Sequence, residues 1–334
     1  METEIMKVSV VIPVRNEEDT IGKCIESLLN NTYENFEIVV VDGMSVDKTV
    51  DVVQGYIEKY GDKIKIVENP RIYTPSGLNI GILKSTGDYV MIASGHARYS
   101  ENYISECVDS IQNGECDVAG GVMEVTPRYN SSKAVAISEV LKNPFGIGMA
   151  KYRIGAPTKI YVDTVAYGIY KREIFENVGL FNEKLIRNQD IEFNLRLKKA
   201  GYKIMLIPQA RSYYFARDNY GKLWKNNFLN GFWVTYSSKF VKKAYKMRHL
   251  IPLFFVIYLF FTISLLFISL PSILSVLILS PLALYFFFTI YSSIKISLKH
   301  HKFLLFPYAL LAFLVLHISY GIGSFLGIFK IYSN

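Results

Sequence analysis

Phe36-Glu37-Ile38-Val39-Val40-Val41-Asp42, followed by Gly43-Met44-Ser45-Val46-Asp47-Lys48-Thr49, decides the fold. The apolar run at its centre does not alternate with polar residues, so it reads as a strand covered on both faces. Ser45, Asp47 and Thr49 are turn and helix-entry residues, and Val50, Val53, Tyr56 and Ile57 recur behind them at helical spacing.

The same alternation returns on either side. Upstream, Val8-Ser9-Val10-Val11-Ile12-Pro13 is a β-branched run, Asn16-Glu17-Glu18-Asp19-Thr20 a helix-entry cluster, and Ile21, Cys24, Ile25, Leu28 and Leu29 one face of a helix. Downstream come a third strand, Ile64–Val67, a helix around Gly77–Leu83 and a fourth strand, Tyr89–Ala93, with Ser94-Gly95-His96-Ala97 at its C-terminal end. Strands alternating with helices predict parallel βαβ units, and open sheets of that class bind ligands at the C-terminal ends of their strands. Residues 101–238 read as mixed: a helix near 101–112, a strand near Asp117–Val125, a Gly- and Pro-rich stretch over 143–158, the segment Thr164–Tyr170, a helix at 190–200 and a strand at Lys203–Ile207.

Farther along, the composition changes. Residues 251–294 contain no Asp, Glu, Lys, Arg or His, and residues 303–329 contain only His317. About 20 apolar residues cross a hydrocarbon core, so three spans are expected: 251–270, 272–294 (after Pro271) and 303–329. Of the net charge of +8, residues 1–238 contribute none of the surplus, with 28 basic against 29 acidic side chains. The basic excess is Lys239, Lys242, Lys243, Lys246 and Arg248 before the first span, then Lys295, Lys299, Lys302 and Lys330. Cations beside apolar segments suit anionic lipid headgroups and disfavour a nucleic-acid partner. By the positive-inside rule they place the basic loops and the N-terminal domain in the cytoplasm, the turn at Leu270-Pro271-Ser272 outside and the C-terminus outside. The acidic N-terminus and the short run Val8–Val14, broken by Pro13, do not resemble a signal peptide. Residues 218–248, with Tyr220, Trp224, Phe228, Phe232, Tyr236 and Phe240 at intervals of four, read as an interfacial helix along the headgroups, or as a helix packing its aromatics inward. Cys24, Cys107 and Cys116 form no metal or disulfide pattern.

Three places can carry chemistry. Asp42 ends a strand, where a carboxylate can accept hydrogen bonds from a base or ribose, or merely cap a turn. His96, between Ser94 and Arg98, can ligate a divalent cation while Arg98 pairs with a phosphate. Asp190 follows Arg187-Asn188-Gln189 at a helix N-terminus, whose dipole favours a carboxylate. Neither G-x-G-x-x-G after the first strand nor a Walker loop is present, so a diphosphate would need a metal or basic side chains.

Taken in order, VSVVIPVRNEE (8–18), VVVDGMSVDKT (39–49), PSGLNIGILKSTGDYVMI (75–92), SGHARYS (94–100) and RNQDIEFNLRLKKAGYKI (187–204) resemble the family 2 glycosyltransferases of GT-A fold. HARY, FGIGMAKYR, DTVAYG and RNQD resemble the succinoglycan-biosynthesis type of membrane-bound enzyme. The resemblance implies a mixed, mainly parallel α/β sheet flanked by helices over residues 1–217, with C-terminal transmembrane helices. It implies an inverting enzyme that moves a sugar from a nucleotide-diphosphate sugar to a polyprenyl-linked saccharide in the membrane. Pro13, Arg15 and Glu17 would line the nucleotide pocket, Asp42 would contact the base, and Arg71, Asn79 and Lys84 would lie near ribose and diphosphate. Ser94 and His96 stand where the family has Asp-x-Asp; His96 would hold Mn²⁺ or Mg²⁺, and Ser94 removes one carboxylate from the motif. Asp190 would be the general base. A polyprenyl-phosphate sugar transferase and a non-catalytic nucleotide-sugar-binding protein are the alternatives; a channel is disfavoured by spans without Asp, Glu, Lys or Arg.

Overall fold

The computed structural model describes every residue except 1–5, 149, 242–244, 246, 266, 268–270 and 333–334. It divides into two compact units, residues 1–124 with 151–214, and residues 125–150 with 215–334.

In the first unit β1 (Val8–Val14), α1 (Ile21–Leu29), β2 (Phe36–Asp42), α2 (Thr49–Tyr60), β3 (Ile64–Glu68), α3 (Thr74–Lys84) and β4 (Tyr89–Ile92) form the expected βαβ series. They are followed by β5 (Ala97–Tyr99), α4 (Tyr103–Gln112) and β6 (Val118–Thr126). The sheet runs β3-β2-β1-β4, all parallel, and then turns antiparallel where β8 (Ile169–Lys171) joins β4. β6 pairs with β8, and the long β9 (Ile204–Phe215) carries both β5 and β7 (Ile160–Tyr161) antiparallel. β2 is buried at every position, as its unbroken apolar run requires. Val10, Ile12, Ile38 and Val40 pack on α1 and α4 on one face, and Val11, Val39 and Val41 on α3 on the other. Each such Val or Ile contributes roughly 1.5–3 kcal/mol.

At the N-terminal edge of the parallel strands, Glu37 is buried yet satisfied. Its carboxylate accepts from Ser9 Oγ (2.7 Å), the backbone N–H of Thr86 (2.8 Å) and Lys65 Nζ (2.9 Å). Burial alone would raise its pKa; these donors override that and hold it at about 2.

The second unit contains α5 (Ser132–Val140), which the sequence reading passed over, and the one-turn α6 (Pro144–Ile147). The one-turn α7 (Lys151–Ile154), α8 (Glu173–Asn177) and α9 (Gln189–Lys199) return to the first unit. The compact units thus set residues 125–150 apart from 1–124 and 151–214, where the sequence reading expects one catalytic domain over 1–217. The alanine-rich α5 buries Ala134, Ala136, Ile137 and Val140 and packs on a membrane-type helix, α13 (Leu305–Tyr332). α10 (Tyr220–Tyr236), α11 (Ile251–Leu265) and α12 (Ser272–Lys299) complete the unit.

Among the described residues three helical segments are long and apolar enough to cross a membrane: Met247–Leu265, Ser272–Lys299 and Leu305–Lys330. Lys242, Lys243, Lys246, Leu270 and Asn334 lie outside the described residues. α10 buries Leu223, Asn227, Gly231, Val234 and Thr235, whereas of the aromatics spaced by four Trp224 is exposed and Phe228, Phe232, Tyr236 and Phe240 are half-buried. A Cβ at Gly231 would stand 2.0 Å from the Tyr320 carbonyl, and one at Gly323 2.0 Å from the Phe228 carbonyl. Only glycine permits so close a crossing with α13. His317, the one His and, with the terminal Lys330, one of two basic-type residues of its span, is satisfied: Nδ1 bonds Tyr285 Oη (3.0 Å) and Nε2 the Phe145 carbonyl (3.0 Å).

Candidate active site

The loops after β1 and β2 are stitched together at the C-terminal edge of the sheet. Asn16 N–H donates to Ser45 Oγ (2.9 Å), Val46 N–H to Asn16 Oδ1 (2.9 Å) and Glu17 N–H to Thr49 Oγ1 (2.7 Å). Asn16 (φ 55°), Met44 (φ 59°) and, after β3, Ile72 (φ 59°) adopt left-handed backbone at this edge. For Met and β-branched Ile that conformation costs about 1–3 kcal/mol, a strain that persists where surrounding contacts over-determine it.

Asp42 ends β2 here, 5% exposed. Its Oδ2 accepts the Ser45 N–H (3.0 Å), while its Oδ1 is buried with no hydrogen-bond partner. A buried carboxylate oxygen without a donor is costly, and this one has the capacity to accept a ligand N–H or O–H. Pro13 pairs across to Val41 and packs beside Gly77 of α3, and Arg15 is exposed at the mouth of the loop.

Ser94-Gly95-His96 follows β4. Ser94 is held by its N–H on Tyr99 Oη (2.9 Å) and its carbonyl on Cys24 Sγ (3.3 Å). A Cβ at Gly95 would lie 2.7 Å from Val14 Cγ1, so glycine alone lets the motif approach β1. His96 Nδ1 bonds Glu17 Oε1 (2.9 Å), and Ser94 Oγ is 3.3 Å from the same nitrogen. Glu17 thus stands beside the motif residue. Among the described residues no group of three or more His, Cys, Asp or Glu could hold a metal ion. Imidazole and carboxylate together nevertheless fit a two-ligand half-site that phosphate oxygens would complete.

Asp190 is in the first turn of α9, whose cap Asn188 is left-handed (φ 61°). Solvent reaches Asp190, and the crowding around it still raises its carboxyl above the ordinary range, against the backbone N–H groups of Ile191 and Asp190, which lower it. Glu192, the nearest competitor, is buried and committed to Arg196 (2.7 and 3.0 Å). One turn beyond Asp190, the buried Asn194 donates from Nδ2 to Thr164 Oγ1 (2.7 Å), and its Oδ1 has no partner.

Four expected residues lie at another edge or are bonded to protein partners. Lys84 ends α3, which descends from the β3 edge to the start of β4, so it lies at the opposite edge of the parallel sheet from Asp42. Arg98 lines a separate hollow of about 260 Å³ with Ser27, Asn30 and Tyr213, since β5 alternates and turns its side chain away from Ala97 and Tyr99. Asn79 is buried, with Nδ2 on the Phe181 carbonyl and Glu183 (2.9 Å each) and Oδ1 accepting the Phe181 N–H (2.9 Å). Arg71 pairs with the same Glu183. These two hold the 181–183 loop onto α3, a role that spacing within a motif does not reveal. The reading also assigned no role to Glu183, Asn194, Tyr214 or Arg153, although Arg153 ends FGIGMAKYR.

Residues 9–179 match the description Glycosyl transferase family 2. A Methanococcus voltae protein named dolichyl N-acetyl-α-D-glucosaminyl phosphate 3-β-D-2,3-diacetamido-2,3-dideoxy-β-D-glucuronosyltransferase is 31% identical over 67% of this chain and 71% of its own. The succinoglycan biosynthesis protein ExoA of Rhizobium meliloti is 26% identical over 62% of this chain and 63% of its own. Among solved structures, the Pyrobaculum calidifontis mannosyltransferase PcManGT, in complex with GDP-Man and Mn²⁺, superposes with a TM-score of 0.61 at 18% identity, covering 94% of this chain and 87% of that one. That likeness shows the fold. The match over half the chain, together with the archaeal relative, shows that this protein is a glycosyltransferase belonging to glycosyl transferase family 2.

Proposed function

We propose that the enzyme transfers a sugar, with inversion, from a nucleotide-diphosphate sugar to a hydroxyl of a lipid-linked saccharide at the membrane surface. The observation that carries the donor side is the buried, unpartnered Oδ1 of Asp42 at the edge that also holds the His96–Glu17 pair. Asp42 accepts from the nucleotide, and His96 with Glu17 holds a divalent ion against the diphosphate, Mn²⁺ suiting imidazole better than Mg²⁺. That ion, when bound, supplies positive charge to the leaving group. Asp190 takes the proton of the acceptor hydroxyl as its oxygen bonds the anomeric carbon from the face opposite the departing diphosphate. A carboxyl raised above its ordinary range is a stronger base than a free one, which suits the task.

The acceptor side is supported by the three apolar helices and by the Methanococcus voltae relative, named for a dolichyl-linked sugar phosphate. An acceptor that stays in the bilayer is met by an enzyme that stays there too, and proximity replaces a search through solution. The basic residues Lys295 and Lys299 in the last turns of α12 and Lys302 just beyond it favour a cytoplasmic catalytic unit.

The test is incubation of detergent-purified protein with a panel of nucleotide sugars, with and without Mn²⁺, and membrane lipid extract, reading nucleoside diphosphate release and the anomeric configuration of the lipid product. Release with a β-linked product from an α-linked donor is expected. Retention of configuration would remove Asp190 as base, and sugar attached directly to lipid phosphate would make the acceptor a phosphate.

A further inference from the structure

Glu139 is the one acidic residue between positions 125 and 150, and Asp218 the one between 215 and 334. Glu139 is 7% exposed, in the last turn of α5, and cations converge on it from two chain segments. Lys142 Nζ donates to its Oε1 (2.9 Å) and Lys299 Nζ, from the last turn of α12, to its Oε2 (2.7 Å). His300 Nε2 is buried 3.4 Å from Oε1 with no hydrogen-bond partner. Lys295 lies one turn before Lys299 on the same exposed face of α12. A buried carboxylate needs its charge answered, but one ammonium would do that. Here two ammonium groups and an imidazole meet it and a third ammonium stands a turn away, so the cluster keeps a surplus of positive charge. The turn that ends α12 fixes the geometry: His301 is left-handed (φ 51°), Lys302 N–H donates to the Ser297 carbonyl (3.1 Å) and Ser297 Oγ to the Lys302 carbonyl (2.8 Å).

The level of this cluster follows from the chain beyond it. Phe145 of α6 packs its ring against Tyr285, Phe288, Phe313 and His317. Tyr285 and Phe288 precede Lys299 by 14 and 11 residues, roughly 21 and 16 Å along a helix. With α12 across a hydrocarbon core of about 30 Å, Phe145 sits near its middle. The chain from Glu139 to Phe145 therefore descends into the core against α12 and α13, and Glu139, Lys142 and Lys299 stand at the level of lipid phosphates. Towards the core the Lys295–Lys299 face of α12 continues as Phe287 and Tyr291, both exposed, with stacked rings.

We propose that Lys142, Lys295 and Lys299 bind the phosphate that links the lipid of the acceptor to its saccharide, with the lipid chain lying along Phe287 and Tyr291. An ammonium has three donors. Glu139 takes one from Lys142 and one from Lys299, holds the two groups side by side on its two oxygens, and leaves the remaining donors for phosphate oxygens. General attraction of anionic headgroups needs no such fixed pair, and a carboxylate among the cations would only weaken it.

The inference rests on the lipid-linked acceptor of the reading above, and binding separates the two. Full-length protein in phosphatidylcholine nanodiscs is titrated by calorimetry with farnesyl diphosphate, for wild type, Lys142→Gln, Lys299→Gln and Lys295→Gln. Wild type is also titrated with inorganic diphosphate and in discs containing phosphatidylglycerol, and sugar transfer to a membrane lipid extract is read in parallel. Lys142→Gln and Lys299→Gln are expected to weaken farnesyl diphosphate roughly tenfold or more, and Lys295→Gln, which makes no bond to Glu139, roughly threefold or more. Inorganic diphosphate should bind more weakly than the prenyl form, and phosphatidylglycerol should change the prenyl affinity by less than about twofold. Loss in Lys142→Gln and Lys299→Gln with Lys295→Gln at the wild-type value overturns the assignment, because the two lysines would then only tie α5 to α12. Inorganic diphosphate binding as tightly as the prenyl form, or displacement by phosphatidylglycerol, also overturns it, in favour of a free anion or of bulk headgroups. Wild-type affinity in all three variants alongside transfer to lipid overturns the site and leaves the acceptor reading standing. Wild type that transfers sugar to soluble saccharides and none to the lipid extract overturns that reading and this inference with it.

Discussion

The two halves of the sheet are built from different kinds of information. In β3-β2-β1-β4 the strands β1, β2 and β3 are each followed by a helix and are neighbours through single crossovers, so a residue such as Asp42 is placed by the few residues around it. In the antiparallel half, β5 pairs with β9 more than a hundred residues later, and Asn194 reaches Thr164 on a distant loop. Long-range pairing leaves no period in the sequence, and chemistry there depends on loops meeting. The parallel half should accordingly govern donor affinity and stability, and the antiparallel half the chemical step.

The sharpest break of that division is Asp190→Asn. It should lower kcat by roughly 10²–10⁴-fold with nucleotide affinity intact, since general-base catalysis contributes in that range. The same residue sets a pH limb. The carboxyl must be ionised to accept a proton and its pKa is raised, so activity falls as pH drops through a value above the ordinary carboxylate range, and is flat above it. A steady-state pH profile checks the sign, and loss of activity only below the ordinary range would contradict the crowding at Asp190.

Asp42→Asn should act on KM for the donor and not on kcat. The expected loss is roughly 5- to 100-fold, corresponding to about 1–3 kcal/mol for a buried hydrogen bond to a charged group. A kcat effect as large as that on KM would blur the two halves.

Glu37→Gln tests the parallel half without touching its ligand edge, because Glu37 lies at the opposite end of β2. The folded pKa is depressed to about 2, so the stabilisation is complete above the ordinary carboxylate value and is lost as pH falls from there towards 2. Thermal denaturation at pH 7 should show a deficit of roughly 1–3 kcal/mol, and the gap from wild type should close with acidification. A pH-independent gap would mean the loss is one of packing.

The smallest effect lies in the helical unit. Tyr285→Phe removes the phenol that bonds His317 and should cost about 0.5–1.5 kcal/mol, read as reduced thermal stability in detergent with nucleotide affinity unchanged.

What the sequence determined by itself was everything written in local periodicity: the βαβ series, the bounds of β2, the helix carrying Asp190 in its first turn and the three apolar segments. Those signals survive because a strand or helix declares itself within one or two turns of chain. What only the tertiary structure decided was where local elements meet. It put Lys84 at the sheet edge opposite Asp42, turned Arg98 towards another hollow, bonded Asn79 to Phe181 and Glu183, and set Glu17 on His96. It also took α5 out of the catalytic unit. The physical reason is common to all of these. A charged or amide side chain is assigned its role by the partner that satisfies it, and in this fold that partner comes from a segment far away in sequence.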